Sequence, residues 1–187
     1  MDYTSLSLGQ VRSGLDDIAR EAQATFGGLD ARQLNWRPDA TQWSVAQCFD
    51  HLLNANRAMF QALDAAMDDA RPRTVWQRLP ILPRIFGPML IKSQAPEAKR
   101  KFTAPGKATP ASSTIDARII ERFGAHQRQA AARVRALEGS GAARTVMVSP
   151  FVAFITYSVL DGCRLIVAHE RRHVEQARRV TREPGFP

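Results

Sequence analysis

The sequence predicts an all-α protein, a four-helix bundle formed by a single domain over residues 1–187. Four segments place apolar residues at steps of three and four, which is the spacing of one face of an amphipathic helix. No segment alternates apolar and polar residues convincingly enough to predict a sheet. A long proline-rich stretch separates the second of these segments from the third. Together these observations favour four helices packed around a shared core.

The first two predicted helices lie before the proline-rich stretch. Residues 5–26 form the first helix, which ends at the glycine pair 27–28. The polar segment 29–43 is predicted to be a connection. The second helix begins at Ser44, because Ser44 and Gln47 have the spacing of a capping box. Its apolar face continues to Ala66.

Residues 71–110, here called the crossover, contain seven of the eleven prolines, which exclude a long helix. A short helix over residues 84–92 is compatible with the pattern. Loops of about forty residues in compact domains usually carry function or cover a site. Two roles are open for the apolar side chains of the crossover, a lid over the mouth of the bundle or a surface for membrane or partner contact. The prolines favour the lid, which would consist of Trp76, Leu79, Ile81, Leu82, Ile85 and Phe86.

The last two predicted helices cover residues 115–137 and 158–181. Between them, residues 144–157 are rich in β-branched and aromatic side chains. Such a composition predicts an extended or irregular packed segment rather than helix.

Charge and cysteine content exclude several function classes. The net charge of +8 belongs to residues 71–107, which hold nine basic residues and one acidic residue, so the rest of the chain is neutral. No recognition helix or aromatic–basic platform accompanies this charge, and nucleic acid is therefore not an expected partner. No apolar run approaches the ~20 residues of a membrane span, and we identify no secretory signal. Cys48 and Cys163 fall inside predicted helices, which indicates buried thiols in a reducing, cytoplasmic compartment.

Three of the four histidines occupy inward-facing helix positions. His169 and His173 are four residues apart and therefore leave the same helix face, and His51 interrupts the apolar face of the second helix. Buried imidazoles need polar partners, and one shared metal ion would satisfy all three. The alternative for a lone pair of histidines four residues apart is a surface position near a helix C-terminus, where a cationic ring suits the helix dipole.

The position of each histidine along its helix predicts the order of the helices. His51 lies roughly 10 Å from the start of the second helix, and His173 lies roughly 12 Å from the end of the fourth. The rings share one level only if these two helices are antiparallel. An up-down-down-up bundle meets this condition, and it needs a long crossover between the second and third helices.

Helical spacing nominates further residues around the rings. Gln47, Asn54 and Gln176 could orient an imidazole, and His126 could line the same cavity; the alternatives are polar residues at the bundle edge and a packed core histidine. The side chain of Glu170 should point roughly 100° away from His169. No general base is therefore predicted, and the catalytic residues stay unknown.

Several of these residues also carry a resemblance to a known family. They are Trp36-Arg37-Pro38, Trp43-Ser44-Val45 leading to His51-Leu52, and His169-Glu170-Arg171-Arg172-His173 followed by Gln176. Over nearly the whole chain the sequence resembles the DinB/YfiT-like superfamily, specifically its DinB-like branch. The resemblance implies an up-down-down-up four-helix bundle in which His51, His169 and His173 bind zinc, nickel or iron. The crossover looks longer than in short members of the family.

Three neutral imidazoles leave a divalent ion with open coordination positions, where it can activate water or hold a thiolate. Characterised relatives include thiol-dependent S-transferases and isomerases. The sequence therefore predicts a metal-dependent hydrolase, or an S-transferase that uses a low-molecular-weight thiol, acting on a small electrophile. The positive crossover could attract an anionic thiol or substrate. The competing prediction is a non-catalytic bundle that binds a metal or small ligand and could form a homodimer.

Overall fold

The computed structural model describes residues 1–68, 72, 74–79, 81–98, 106–111 and 114–187. These residues are mostly helical, as the apolar spacing predicted. The six α-helices are α1 (Leu8–Phe26), α2 (Ala31–Asn35), α3 (Val45–Met67), α4 (Leu82–Gln94), α5 (Ile119–Ala136) and α6 (Val159–Val180). Short 3-10 turns cover Tyr3–Ser5, Trp76–Arg78 and Gly106–Ala108.

The four long helices, α1, α3, α5 and α6, correspond to the four predicted ones. Ser44 caps α3 through the expected reciprocal hydrogen bonds with Gln47. Helix α5 begins four residues later than predicted. The reason is that Asn35 binds the backbone of Ile115 through two hydrogen bonds, of 2.8 Å to its N–H and 2.9 Å to its carbonyl. This clamp holds Ile115 outside the helix.

Two local expectations were wrong. A small antiparallel sheet is present, in which β1 (Val146–Val148) pairs with β2 (Thr156–Ser158), so the extended segment contains a hairpin. Its β-branched residues suit a pleated, half-buried surface. The supposed connection 29–43 contains α2, which Asp30 caps by the same reciprocal arrangement with Gln33 that Ser44 makes with Gln47.

The core lies where the long helices meet. Phe49 on α3 contacts Phe26 on α1 and Phe123 on α5, with ring centroids 5.3 and 5.0 Å apart. The thiols of Cys48 and Cys163 are free and fully buried, which confirms the expectation of buried thiols. Burial raises the pKa of each thiol to about 12, so neither is ionised at neutral pH.

The crossover packs differently from the predicted lid. Helix α4, which is longer than the short helix considered for it, contacts α6 and β2 and buries Pro83, Gly87 and Ile91. Because that face is used for packing, the side chains of the opposite face point to solvent. Four of the six predicted lid side chains are exposed, and two are half-buried, namely Leu82 and Phe86; the exposed ones are Trp76, Leu79, Ile81 and Ile85.

The positive charge of the crossover is only partly described. Of its nine basic residues, five lie outside the described residues: Arg71, Arg73, Lys99, Arg100 and Lys101. The backbone of Lys107 is described but its side chain is not. Among the helices in the described ranges, none has the length and apolar character needed to cross a membrane.

Candidate metal centre

His51 lies on the buried face of α3, and a backbone carbonyl fixes its ring. Its Nδ1 is 2.5 Å from the carbonyl oxygen of Ala108, which belongs to the 3-10 turn at the end of the crossover. A carbonyl can only accept, so Nδ1 carries the proton of the neutral ring. The Nε2 atom of His51 is therefore left with a lone pair.

His169 and His173 lie one turn apart on α6 and meet this lone pair. The Nε2 atoms of His51 and His169 are 3.1 Å apart. The centroid of the His173 ring is 4.6 Å from the centroid of each of the other two rings. One nitrogen from each ring lies within 4.8 Å of the other two. The structure thus brings together the three histidines that the sequence singled out.

Trp43 forms one wall of this group. Its ring is stacked on His173, with an interplanar angle of 22° and centroids 5.7 Å apart, and it tilts against His51 at 4.9 Å. His51 and His173 are buried, whereas His169 keeps partial exposure to solvent.

Burial keeps all three rings neutral. It lowers the pKa of His51, and the hydrogen bond to Ala108 only partly opposes this effect. Burial lowers the pKa of His173 to about 3, with a further contribution from His51. The pKa of His169 is also well below its usual value, because of burial and then of the neighbouring rings. At neutral pH each ring therefore offers a lone pair rather than a second proton.

These features fit a divalent metal ion. Two imidazole nitrogens bound to one ion at about 2.1 Å would be roughly 3.0–3.4 Å apart for angles between 90° and 109°, and 3.1 Å separates the Nε2 atoms of His51 and His169. The Nδ1 atom of His173 is buried and has no hydrogen-bond partner in the described part of the chain. Zinc, nickel and iron all bind neutral imidazole nitrogens that carry no proton. The three histidines could hold such an ion.

The three polar residues predicted to orient an imidazole differ in what they contact. Gln47 donates to the carbonyl of Ala111 at 3.0 Å, so it holds the residue directly after the crossover, close to the turn that binds His51. The side chain of Gln176 acts to raise the pKa of His173, against the larger effect of burial. The described hydrogen bonds of Asn54 join it to Asp50 and Arg57 instead.

His126 lies in a groove between α3 and α5. Its ring contacts Phe60, with centroids 6.1 Å apart, and the groove is also lined by Arg57 and Arg133. Burial lowers the pKa of His126, and the charges of these two arginines lower it further. The described ring contacts of His126 do not include the other three histidines.

Sequence reasoning missed a second buried polar group, here called the Glu170 cluster. The Glu170 carboxylate is fully buried and accepts hydrogen bonds from Asn56 Nδ2 at 2.6 Å and from Gln127 Nε2 at 2.7 Å. As expected, the carboxylate does not join the three imidazoles. Burial raises the pKa of Glu170 to about 7, although both amides act to lower it. The signal was present in the spacing, because Ile166, Glu170 and His173 follow one another at steps of four and three.

Comparison with known proteins gives one result. The family model described as the DinB superfamily matches residues 15–177, most of the chain. Its members often bind metal, which agrees with a group of three histidines able to hold an ion. The chain matches no curated protein and no solved structure.

Proposed function

Since the chain belongs to the DinB superfamily, we propose that it is a metal-dependent enzyme that binds one divalent ion through His51, His169 and His173. The proposed reaction is hydrolysis, or transfer of a low-molecular-weight thiol to a small electrophile. The observation that carries the proposal is the meeting of three neutral imidazoles from two helices. Bound there, a divalent ion would keep open coordination positions and supply Lewis-acid activation of a thiol or of water.

An up-down-down-up bundle is the topology we propose around this site. The order of contacts supports it, since His51 meets His169 and His173 on α6, whereas Met59, two turns further along α3, meets Tyr157, which precedes α6. The contacts between α3 and α5 follow the order of two parallel helices, because later residues of α3 meet later residues of α5. Phe49 meets Phe123 at 5.0 Å, and Asp64 meets Arg133 at 2.6 Å.

The chain's own residues prepare the proposed site in three ways. The Ala108 carbonyl fixes the proton of His51 on Nδ1, which leaves Nε2 as the donor atom. Trp43 excludes water from one side of the rings. The positive charges of Arg172 and Arg179 contribute to the low pKa of His173, and the same charges would favour an anionic thiol or substrate.

A second candidate, a non-catalytic bundle that binds a metal ion or small ligand, has one observation in its favour. Among the described residues, the group of ligand atoms that lie within 4.8 Å of one another consists of three imidazole nitrogens and includes no carboxylate that could act as a general base. A thiol that loses its proton more readily than water needs such a base less, so this observation also favours thiol transfer over hydrolysis within the first candidate.

Both candidates require the metal site, which is tested first. Metal-free protein should bind one equivalent of zinc or nickel by isothermal titration calorimetry, with a rise in melting temperature. Replacing a ligand, as in His51→Ala or His169→Ala, should weaken binding by at least about 100-fold. His126→Ala removes a partly buried histidine outside the site and should bind metal like the wild type. Equal affinity in all four proteins would overturn the proposal.

Activity then separates the two candidates. Metal-loaded protein should consume a chromogenic haloarene or epoxide in the presence of a thiol such as glutathione or cysteine, or should hydrolyse a small ester. The rate should fall to background in metal-free protein and in His169→Ala. Metal binding without turnover across thiols and electrophiles would favour the non-catalytic candidate.

For the location of the protein, the two free, buried thiols support a reducing, cytoplasmic compartment, which we add to the proposal.

A further inference from the structure

Exposed apolar side chains are concentrated in one region of the molecule. Of the eight large hydrophobic residues exposed in the described part of the chain, seven lie in the crossover or in the hairpin loop beside it. The exception is Met1. We call the seven the apolar surface; they are Val75, Trp76, Leu79, Ile81, Ile85, Met89 and Phe154. A concentration of this kind marks an interaction site, whereas single exposed apolar residues need no explanation.

The packing of α4 fixes which side chains face outward. A Cβ atom at Gly87 would lie 2.6 Å from a carboxylate oxygen and 3.2 Å from the Cβ atom of Asp161, so α4 packs tightly against α6 at this glycine. The buried face of α4 is therefore set at Pro83, Gly87 and Ile91. Ile81, Ile85 and Met89 repeat at steps of four on the opposite face. Their exposure follows from this close approach and not from a loosely placed helix.

The remaining members of the apolar surface are attached to the same side of the fold. The Trp76 ring contacts the Phe154 ring in the hairpin loop, with centroids 6.4 Å apart. Gln77 donates to the carbonyl of Val146 on β1 at 2.8 Å, which holds the 3-10 turn against the hairpin. Helix α4 packs on β2, the other strand of that hairpin. One small sheet thus supports both halves of the apolar surface.

Cations accompany these apolar side chains. Arg78, Arg84 and Lys92 are exposed, and Arg84 lies beside Ile81 and Ile85 on the outer face of α4. Arg78 and Arg84 make no ion pair with any other described residue. The sequence holds one acidic residue between positions 71 and 107, and none between 149 and 158. The complement of this surface is therefore apolar at its centre and anionic at its edge.

We propose that the apolar surface docks the protein peripherally on anionic lipid membranes. Apolar side chains of a short helix and an aromatic ring at its edge would enter the interface, and Arg78 and Arg84 would contact lipid phosphates. A second copy of the chain is a poorer occupant, because a two-fold contact would set Arg78 and Arg84 against a surface of the same sign. The proposal is independent of the metal site.

Vesicle sedimentation tests the proposal on the full chain. The wild type should sediment with vesicles of phosphatidylcholine and phosphatidylglycerol, much less with phosphatidylcholine alone, and less as salt rises. Arg84→Glu should weaken binding by about fivefold or more, and the double variant Ile85→Ser, Met89→Ser should weaken it further. Arg128→Glu, the same charge change at an exposed site on α5, is the matched control and should bind like the wild type.

Four outcomes would overturn the proposal. They are no binding to either vesicle, equal binding to both, equal losses in Arg84→Glu and Arg128→Glu, and self-association that the double variant abolishes without any lipid binding. The last would assign the apolar surface to a second copy. Because all the substituted side chains are exposed, unchanged melting temperatures should show that each variant is folded. Emission of Trp76, obtained as the difference from Trp76→Phe, should shift to the blue on binding.

Discussion

Two polar groups lie side by side where α3 meets α6, and their hydrogen bonding differs. In the Glu170 cluster, both carboxylate oxygens accept a side-chain N–H, one from Asn56 and one from Gln127. In the histidine group, three neutral rings approach one another, and His173 Nδ1 has no partner among the described residues. In the Glu170 cluster, two side-chain amides donate hydrogen bonds to the carboxylate. In the histidine group, the ring nitrogens that meet are acceptors, and no N–H of the described residues donates to them. Protein donors thus satisfy both oxygens of the Glu170 carboxylate, although the amide oxygens of Asn56 and Gln127 have no partner among the described residues. The three imidazoles, by contrast, could hold an added cation.

The largest test of this contrast removes the carboxylate. Glu170→Ala leaves Asn56 Nδ2 and Gln127 Nε2 buried without an acceptor, and it should lower the free energy of unfolding by about 3 kcal/mol. Metal affinity should change by less than about threefold, since Glu170 does not join the three rings. Urea denaturation of metal-free protein and titration with zinc measure the two effects.

Glu170→Gln is the control for that substitution. It keeps an acceptor for Asn56, and Gln127 can rotate its amide to offer the oxygen that now has no partner among the described residues. The loss of stability should therefore be well below that of Glu170→Ala. If Glu170→Gln folds as the wild type does but binds zinc far more weakly, the two groups are not separate and the contrast is wrong.

The next test concerns Trp43, whose ring forms one wall of the histidine group. Trp43→Leu removes the ring contacts with His51 and His173, which are worth roughly 1 kcal/mol each beyond burial. Zinc affinity should fall by about five- to tenfold, because the two rings are no longer held in place before the ion binds. Calorimetric titration of the metal-free variant with zinc measures this affinity.

Trp36→Leu is the matched control for Trp43→Leu. The Trp36 ring contacts Phe186 edge to face, with centroids 5.6 Å apart, and its ring contacts in the described part of the chain include no histidine. It should lose stability while keeping the wild-type zinc affinity. Equal losses of affinity in the two variants would mean that a general loosening of the fold, rather than the wall, controls the site.

The sequence could predict the histidine group because its members break an apolar pattern. A histidine among Cys48, Leu52 and Ala55 is conspicuous, and so is a pair of histidines four residues apart. The burial of Glu170 was not predicted, since an acidic residue is rarely buried without a partner and its partners come from two other helices. The spacing of α6 admits both His169 and Glu170 on one broad face. It could not show that Asn56 and Gln127 would supply the missing donors.

The contribution of Ala108 could not be predicted at all. Any residue type supplies a carbonyl, so no side chain at position 108 marks it as the acceptor for His51. The crossover also lacks the periodicity from which its path could be inferred. The absence of periodicity also explains why the predicted lid was wrong. The apolar composition of the crossover was evident, but the sequence did not show which face of α4 would be buried. That face depends on the close approach of Gly87 to α6.

The smallest expected effect separates His126 from the histidine group by its response to pH. Burial and the charges of Arg57 and Arg133 lower its pKa, so the folded protein binds this proton less readily than the unfolded chain. Stability should therefore be lost as pH falls below the unfolded value of 6.5, and it should be fully present above that value.

His126→Gln removes this contribution. The difference in free energy of unfolding between variant and wild type should move in favour of the variant between pH 7 and pH 5, by less than about 1 kcal/mol. Urea denaturation of both metal-free proteins across that range measures it, and the histidine group cancels from the comparison because both proteins contain it. Curves that stay parallel would mean that the groove protonates freely. His126 would then be a solvated surface residue, and the only histidines kept neutral by the fold would be the three that meet at the proposed metal site.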